Sequence, residues 1–546
     1  MVALFFGCLL AGGLGLVRDY GVSFDEGTQR IIGQTSLLYV FQQLPTPLQR
    51  RILSPEAAAL ISSKSAGRQL HRTRNRDYGV AFELPVAAAE QLLRLREERQ
   101  VYLFRHVCNL LVCLAGLGGF YYLVQQRFDS WQLGLLGTLL LVLSPRQFVY
   151  NSKDAVFMAL FTIAVATAVP FIRRPTWRTA AWHALACAVA IDVRIMGVLL
   201  PAACLALMAL RNWRGDYYGR RVLGPAALYL TLLVGLVVAM WPYLWAAPLS
   251  NFWAAYCNMS YFRWPGSVLY QGKLVQATAL PWHYVPVWIS LTTPLLYLGG
   301  FGLGAALIVR QAVASGWRLG THTPEWQDVL FLGLTLAPII TVISLHSVLY
   351  NGWRQLYFIY PTLLLVALRG LVAVGRWRPQ GPRLARTWWW GWRATVAAAL
   401  FMVAGRMVRL HPYEHLYFNA LSPNNPAHFY EADYWGLGTR AALAWVMAHD
   451  NRPQVRVQRL VALEESLLLN RHMLPAAVRH RLLLVPDAAQ ADYIIQPYSY
   501  QRAEPKPYLT PCYSLYAEQV HVLDIFCRRP TPASGYTSPS RSKSCR

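Results

Sequence analysis

Residues 20–30 read Tyr20-Gly21-Val22-Ser23-Phe24-Asp25-Glu26-Gly27-Thr28-Gln29-Arg30, two adjacent carboxylates that follow a run of residues, 1–17, without a single charge. A hydrophobic segment therefore delivers an acidic pair to a membrane surface. Where a span meets water, one carboxylate is placed to deprotonate an acceptor hydroxyl, while the other orients it or helps to hold a cation. An isolated Asp-Glu pair also reads as a solvated acidic turn, so its meaning depends on the rest of the chain.

Of the 546 residues, 55% are hydrophobic and 14% charged, with 20 Trp, too apolar and aromatic a composition for a typical soluble enzyme. The expected fold class is an all-α polytopic membrane protein with a small C-terminal α/β domain outside the membrane. The balance of 51 Lys plus Arg against 26 Asp plus Glu gives a formal charge of +25. In a soluble protein that excess points to nucleic acid. Beside long apolar runs it points to anionic membrane lipid, and no nucleic-acid partner is expected. The nine Cys lack metal-ligand spacing. Cys512 and Cys527 read either as a disulfide of an extracytoplasmic tail or as unpaired thiols. Residues 1–17 have no basic n-region and no clear small-residue cleavage site, and are read as an uncleaved span.

A span takes about 17–25 apolar residues. Spans are expected near 1–17, 101–124, 131–149, 155–172, 179–192, 195–210, 222–242, 284–309, 328–346, 355–374 and 388–408, about eleven in all, the fifth and sixth forming a short hairpin with Asp192-Val193-Arg194 at its tip. The positive-inside rule makes the loops of Arg127, Arg173, Arg174, Arg178, Arg211, Arg214, Arg220, Arg221, Arg310, Arg318, Arg369, Arg376, Arg378, Arg383, Arg386 and Arg393 cytoplasmic. The remaining loops, 18–100, 144–154, 192–194, 243–283, 346–354 and the chain after about 409, then face outward. Five polar clusters land on that one face: Asp25-Glu26, Asn151-Ser152-Lys153-Asp154, Asp192-Val193-Arg194, Lys273 and Tyr350-Asn351-Gly352-Trp353-Arg354. Interfacial Lys and Arg snorkel to headgroups without any further role, but acids at span ends gain nothing from anionic lipid. One site is therefore expected, and a transport pathway, which places charges near mid-bilayer, is the alternative.

In the first outer loop, Leu84, Ala87, Ala88, Leu92, Leu93 and Leu95 alternate with charged residues as in an amphipathic helix on the membrane surface over 84–100, and a second is expected over 56–62. Pro45, Pro47 and Pro55 break the chain between them. The aromatics of 243–283 read as an interfacial belt, with a sugar-stacking surface as the alternative. Beyond 409, short apolar stretches at 455–457, 482–485, 493–495 and 520–523 separate helical patterns at 438–449 and 464–474. The division expected is a membrane module over 1–408, an outer α/β domain over 409–529, and a disordered tail rich in Ser, Pro and Arg over 530–546.

A lipid-linked donor sets its phosphate at the interface, so Lys153, Arg194, Lys273 and Arg354 are the candidate phosphate ligands. No nucleotide-binding motif is present, which fits such a donor. Gly116 to Gly119 and Gly299 to Gly304 lie in apolar runs and are assigned to close helix packing.

The order Ser23-Phe24-Asp25-Glu26-Gly27, Asn151-Ser152-Lys153-Asp154 and Tyr350-Asn351-Gly352-Trp353-Arg354-Gln355, each near a span, resembles the C-type (GT-C) membrane glycosyltransferase superfamily, in particular its protein O-mannosyltransferase-like and bacterial lipid-carrier-dependent members. The segments His411-Pro412-Tyr413-Glu414-His415-Leu416-Tyr417-Phe418-Asn419 and Asp433-Tyr434-Trp435-Gly436-Leu437 resemble stretches of bacterial members as well, although packing is the simpler use for their aromatics. The resemblance implies transfer of a sugar from a polyprenyl-phosphate donor to a lipid, glycan or protein acceptor, with inversion. It implies Asp25 as general base with Glu26 its neighbour, Asp154 as second acid, and Lys153 and Arg354 as partners of the departing phosphate. Asn151, Asp192, Tyr350 and Asn351 are candidate lining residues. Asp25 and Asp154 are also the candidate ligands of a divalent cation, Mg or Mn. The chain lacks the outer β-trefoil of eukaryotic members and a W-W-D-type motif, which sets a protein acceptor in doubt and suggests a bacterial inner membrane with the site on its periplasmic face.

Overall fold

The computed structural model describes residues 1–45, 47, 70–73, 75–144, 149–213, 222–260, 262, 264–316, 325–458, 464–498 and 510–528. The helix expected over 56–62 and the tail 530–546 lie outside these residues. Seven described helices are long and apolar enough to cross a membrane: Glu98–Phe128, Asp154–Arg173, Ile195–Trp213, Leu223–Met240, Leu295–Ala314, Glu325–Ser344 and Arg354–Arg376. The chain is an integral membrane protein. The other expected spans correspond to shorter or more charged helices. Val2–Leu16 has 15 residues and Trp131–Val142 has 12, both below the usual spanning length. Trp177–Val193 has 17 residues, and Pro382–Leu410 carries Arg383, Arg386, Arg393, Arg406 and Arg409 along its length. The run 284–309 divides into Tyr284–Thr292 and Leu295–Ala314, because Pro294 holds Thr293 in an extended conformation that a helix cannot continue.

Small residues set the helix spacing. A Cβ on Gly116 would lie 2.6 Å from the Ala159 backbone, and one on Gly304 would lie 2.0 Å from the Val366 carbonyl oxygen. Helix Glu98–Phe128 thus meets Asp154–Arg173, and Leu295–Ala314 meets Tyr360–Arg376, at backbone contact. At one end of the set, Asp328 receives Arg127 Nε and Nη2, both at 2.6 Å, with Arg369 at 3.4 Å. Arg211 is buried beside them, donating to the Ile172 carbonyl over the Trp326 ring. Several arginines of the expected cytoplasmic loops are therefore engaged in clamping helix ends.

The amphipathic surface helix expected over 84–100 is corrected. The segment is helical over Glu83–Leu92 and breaks at Leu93–Glu97, where Arg94 is left-handed, before Glu98 opens the long span. Its acids turn inward: Glu83 and Glu90 are buried and both grip the buried Arg105, leaving Leu92 and Leu93 exposed. Burial of one guanidinium demanded two carboxylates, and that requirement overrode the apolar periodicity.

After the span region the described residues form a five-stranded sheet of order β4-β3-β5-β7-β6: β3 (Val455–Gln458), β4 (Leu482–Val485), β5 (Tyr493–Pro497), β6 (Pro511–Ala517) and β7 (Val520–Cys527). The strands β3, β4 and β5 pair in parallel and β5, β7 and β6 antiparallel. Cys512 and Cys527 are joined in a disulfide across β6 and β7. Helices Gly438–His449 and Glu464–Met473 complete the α/β unit. A separate hairpin, β1 (Ser267–Tyr270) and β2 (Lys273–Gln276), closes on Gln271-Gly272, both left-handed as a tight hairpin turn requires.

The α/β unit is fastened to the first loop through Asn470. Its amide oxygen accepts the Val22 N–H at 2.9 Å and its nitrogen donates to the Val22 carbonyl at 2.9 Å, all buried. Asn470→Ala strands both backbone groups of Val22, and should destabilise the protein by about 2 kcal/mol. The check is a thermal melt of detergent-purified protein, where a loss of a few degrees is expected and an unchanged midpoint counts against this fastening.

Candidate active site

Four of the five expected clusters meet at the end of the helix set opposite Asp328. Ser23 opens helix Phe24–Gln42 with a capping box: its backbone N–H donates to Glu26 Oε2 at 2.7 Å. This cap presents Asp25, one residue into the helix, to the interior. Asn151 performs the same service for Asp154, its Oδ1 accepting the Asp154 N–H at 2.7 Å as the span Asp154–Arg173 begins. Arg354 starts the turn Arg354–Ile359 that leads into Tyr360–Arg376.

The Arg354 guanidinium joins the two acids, donating to Asp25 Oδ2 at 2.9 Å and lying 3.8 Å from Asp154 Oδ2. Arg194 pairs with the other oxygen of Asp154. Lys153 Nζ sits 3.5 Å from the centroid of the Tyr78 ring. The Arg354 guanidinium carbon lies 5.0 Å from the Tyr350 ring and 4.5 Å from that of Trp435. Asp25 keeps 24% of its side chain exposed, whereas Asp154 is fully buried. Lys153, Arg194 and Tyr350 also line a mostly apolar cavity of about 190 Å³, continued by Met196, Leu199 and Val342.

Burial pushes the Asp25 carboxyl up, but Arg354, Lys153 and Arg194 outweigh it and hold the group below the ordinary carboxylate range. Burial takes Lys153 in the opposite direction, down to about 8, against the pull of Asp25 and Asp154 and with help from Arg194. Asp25 is therefore ionised at neutral pH, and Lys153 is a cation that loses its charge at mildly alkaline pH.

Three expected residues stand apart from this cluster. Glu26 is fully buried, held by Ser23 and by His106 Nε2 at 2.8 Å, so it braces the helix start. Asp192 does not pair with Arg194; it is buried and accepts the Val80 N–H at 3.1 Å, fixing the chain beside Tyr78. Lys273 is exposed on the β1–β2 hairpin and makes no ion pair with the acids of the site among the described residues. Asn351 serves through its backbone, left-handed at φ 59° and followed by Gly352 at 69°.

The structure adds Tyr78 and Glu465, which no local pattern had singled out, and gives the quoted tail segments a place beside the site. Tyr78 and Trp435 supply ring faces to Lys153 and Arg354, and Trp435 lies within the tail segment assigned to packing. Glu465 lies against Gly27, where a Cβ would stand 3.0 Å from its Oε1, and burial together with neighbouring Asp25 raises its carboxyl. In the other tail segment, Glu414 accepts Tyr20 Oη at 2.9 Å and His411 Nδ1 at 2.7 Å, and His415 contacts Asp433 at 3.2 Å. These contacts seat the α/β unit on the membrane part.

The carboxylates do not fit a divalent cation. Asp25 and Asp154 are already engaged by Arg354 and Arg194, with Lys153 close by, and among the described residues no three His, Cys, Asp or Glu side chains converge on one point.

No family model matches the sequence, and no curated protein matches it. Among solved structures, the Archaeoglobus fulgidus oligosaccharyltransferase in its apo form is similar at 11% identity and TM-score 0.42, covering 77% of this chain and 62% of that one. Its complex with Zn and sulfate gives 12% identity and TM-score 0.37, over 77% and 59%. The form tethered through a disulfide to an acceptor peptide containing the NVT sequon gives 10% and 0.40, over 77% and 61%. The chain spans about three fifths of the length of that protein.

Arg194→Met leaves Asp154 without its closest cation in a buried setting, and should cost about 3–5 kcal/mol. Adding Asp154→Asn removes the stranded charge, so the double variant should melt well above the single one. Equal melting of the two would show that Arg194 does not serve to balance Asp154.

Proposed function

We propose that this protein is a membrane glycosyltransferase that moves a sugar from a polyprenyl-phosphate donor to the hydroxyl of a lipid, glycan or protein acceptor, with inversion at the anomeric carbon. One observation carries the reading: an ionised carboxylate, Asp25, stands beside three cations, two of which line an apolar cavity. A polyprenyl chain suits the cavity and a phosphate suits Lys153, Arg194 and Arg354. In this scheme Asp25 takes the proton of the acceptor hydroxyl, whose oxygen attacks the anomeric carbon. The carbon–oxygen bond to phosphate breaks on the opposite face, and its electron pair stays on the phosphate, held by the cations. Arg354 then turns from Asp25 towards the new phosphate charge.

The proposed setting is a bacterial inner membrane with the site on its periplasmic side. The disulfide in the domain packed on this site supports it, since such bonds persist in oxidising compartments. We also propose that the reaction needs no metal, since the two acids are already balanced by cations.

Purified protein is to be assayed with radiolabelled polyprenyl-phosphate sugars, separating carrier-bound from transferred label. Asp25→Asn should lose two or more orders of magnitude, roughly a general base's share, and EDTA should leave the rate unchanged. If a folded wild type transfers nothing from any such donor, movement of a lipid phosphate across the membrane replaces this reading.

The pH profile gives a further check. Lys153, faced by Asp25, Asp154, Arg194, Tyr78 and Tyr350, is charged below about 8 and neutral above it, and Glu431 near Arg354 gains a negative charge over the same interval, being raised to about 8 by burial. Both changes weaken attraction for a phosphate, so kcat/KM for the donor should fall as pH rises through about 8. A flat profile to pH 9.5 would contradict the assignment of Lys153, and Lys153→Arg, charged throughout, should remove its part of the fall.

A further inference from the structure

The Asp25–Arg354 pair is held from a distance by five residues of the C-terminal region, Glu431-Ala432-Asp433-Tyr434-Trp435. Asn351 and Gly352 are consecutive residues of positive φ, and the turn they make leaves their two backbone N–H groups facing one small concavity. The Glu431 carboxyl fills it. Its Oε2 accepts the Gly352 N–H at 3.1 Å, and the Asn351 N–H is directed to the same group. Glu431 is 1% exposed. The chain leaves this grip at Trp353 and immediately presents Arg354.

The same segment holds the other partner. Trp435, fully buried, lays its ring 4.5 Å from the Arg354 guanidinium carbon, while its carbonyl accepts the N–H of Phe24, the residue before Asp25. Between them, Tyr434 Oη meets Tyr357 Oη at 3.1 Å, one turn beyond Arg354. Base and cation are thus referred to one short stretch of chain more than 75 residues from either in sequence.

We infer that Glu431 is a positioning residue of this centre: by occupying the Asn351–Gly352 concavity it fixes the direction in which Arg354 meets the phosphate of a lipid-linked substrate. The inference rests on the proposed lipid-phosphate site. What Glu431 contributes is a carbonyl-type acceptor at a set reach. Burial keeps its carboxyl largely protonated at neutral pH, its pKa raised to about 8 against the effect of the two N–H groups and of Arg354. Charge is therefore not the property used. Gln preserves acceptor and reach, Asp keeps the group but shortens the reach, and Ala removes both.

The test is a double-variant cycle between Glu431 and Arg354, read in two ways: steady-state sugar transfer, and equilibrium binding of polyprenyl phosphate alone. Glu431→Gln should keep most of the wild-type rate. Glu431→Asp should lose about 10²-fold in kcat, the cost of displacing a reacting group by about 1 Å, with donor KM within roughly threefold and polyprenyl phosphate bound about tenfold more weakly. In an Arg354→Ala background, Glu431→Asp should have no further effect on either quantity. Additive losses in the cycle, or a Gln variant as impaired as Asp, overturn the inference. If wild type transfers no sugar but the cycle in polyprenyl-phosphate binding is non-additive, the glycosyltransferase reading falls and the positioning role stands. If wild type transfers sugar and the cycle is additive, only the positioning role falls.

Discussion

Arg354 is a guanidinium buried at 4% exposure, and a buried charge of that size is tolerated only where opposite charge and polarisable surface surround it. Asp25, Asp154, Tyr350 and Trp435 are that surround. Each comes from a different stretch of chain and must be fixed in its own way. A capping box fixes Asp25, the Asn151 side chain fixes Asp154, and the α/β unit fixes Trp435. Backbone contact between helices at Gly300, Gly304 and Gly370 then prevents the Arg354 helix from sliding to relieve the constraint. Three cations against two acids leave one positive charge beside an apolar cavity. That is an electrostatic preference for an anion, present before any ligand arrives.

The opposite end of the helix set obeys the same rule with a different result. There one acid, Asp328, faces Arg127 and Arg369, all close to the described ends of their helices. The arrangement ties three spans together, which bears on stability and leaves the chemistry to the other face.

Much of this was legible in the sequence because charge at the end of an apolar run is costly and therefore conspicuous. Asp25, Lys153, Asp154, Arg194 and Arg354 were all visible in that way, and the structure gathers them. The sequence could not show which neighbours would use up a polar group. Asp192 is spent on a backbone N–H near Tyr78, and Glu26 is spent on Ser23 and His106. Lys273 had the right charge, but the Gln271-Gly272 turn places it on the exposed strand of its hairpin. The inward acids of 83–90 were hidden for a related reason: periodicity reports apolar faces and is silent about a buried Arg105 that needs two carboxylates. Glu431 was beyond reach, and Trp435 was visible only as part of an aromatic segment, since their partners lie 79 or more residues away and no spacing encodes such a contact.

The geometry also bears on how the proposed reaction would divide its labour. Helices Phe24–Gln42 and Asp154–Arg173 both begin at the site, so their positive N-terminal ends add to the field of Lys153, Arg194 and Arg354. That field lowers the basicity of Asp25 while strengthening the hold on a departing phosphate. A base weakened in this way is a poor driver of proton abstraction from a hydroxyl in the ground state. It is adequate if the bond to phosphate is already lengthening and the hydroxyl becomes acidic only as it attacks. The same cations that weaken the base favour that order, because their stabilisation grows as charge accumulates on the phosphate. Arg354 links the two effects physically: as it is drawn towards the phosphate it relaxes its hold on Asp25, so the base strengthens when the leaving group departs.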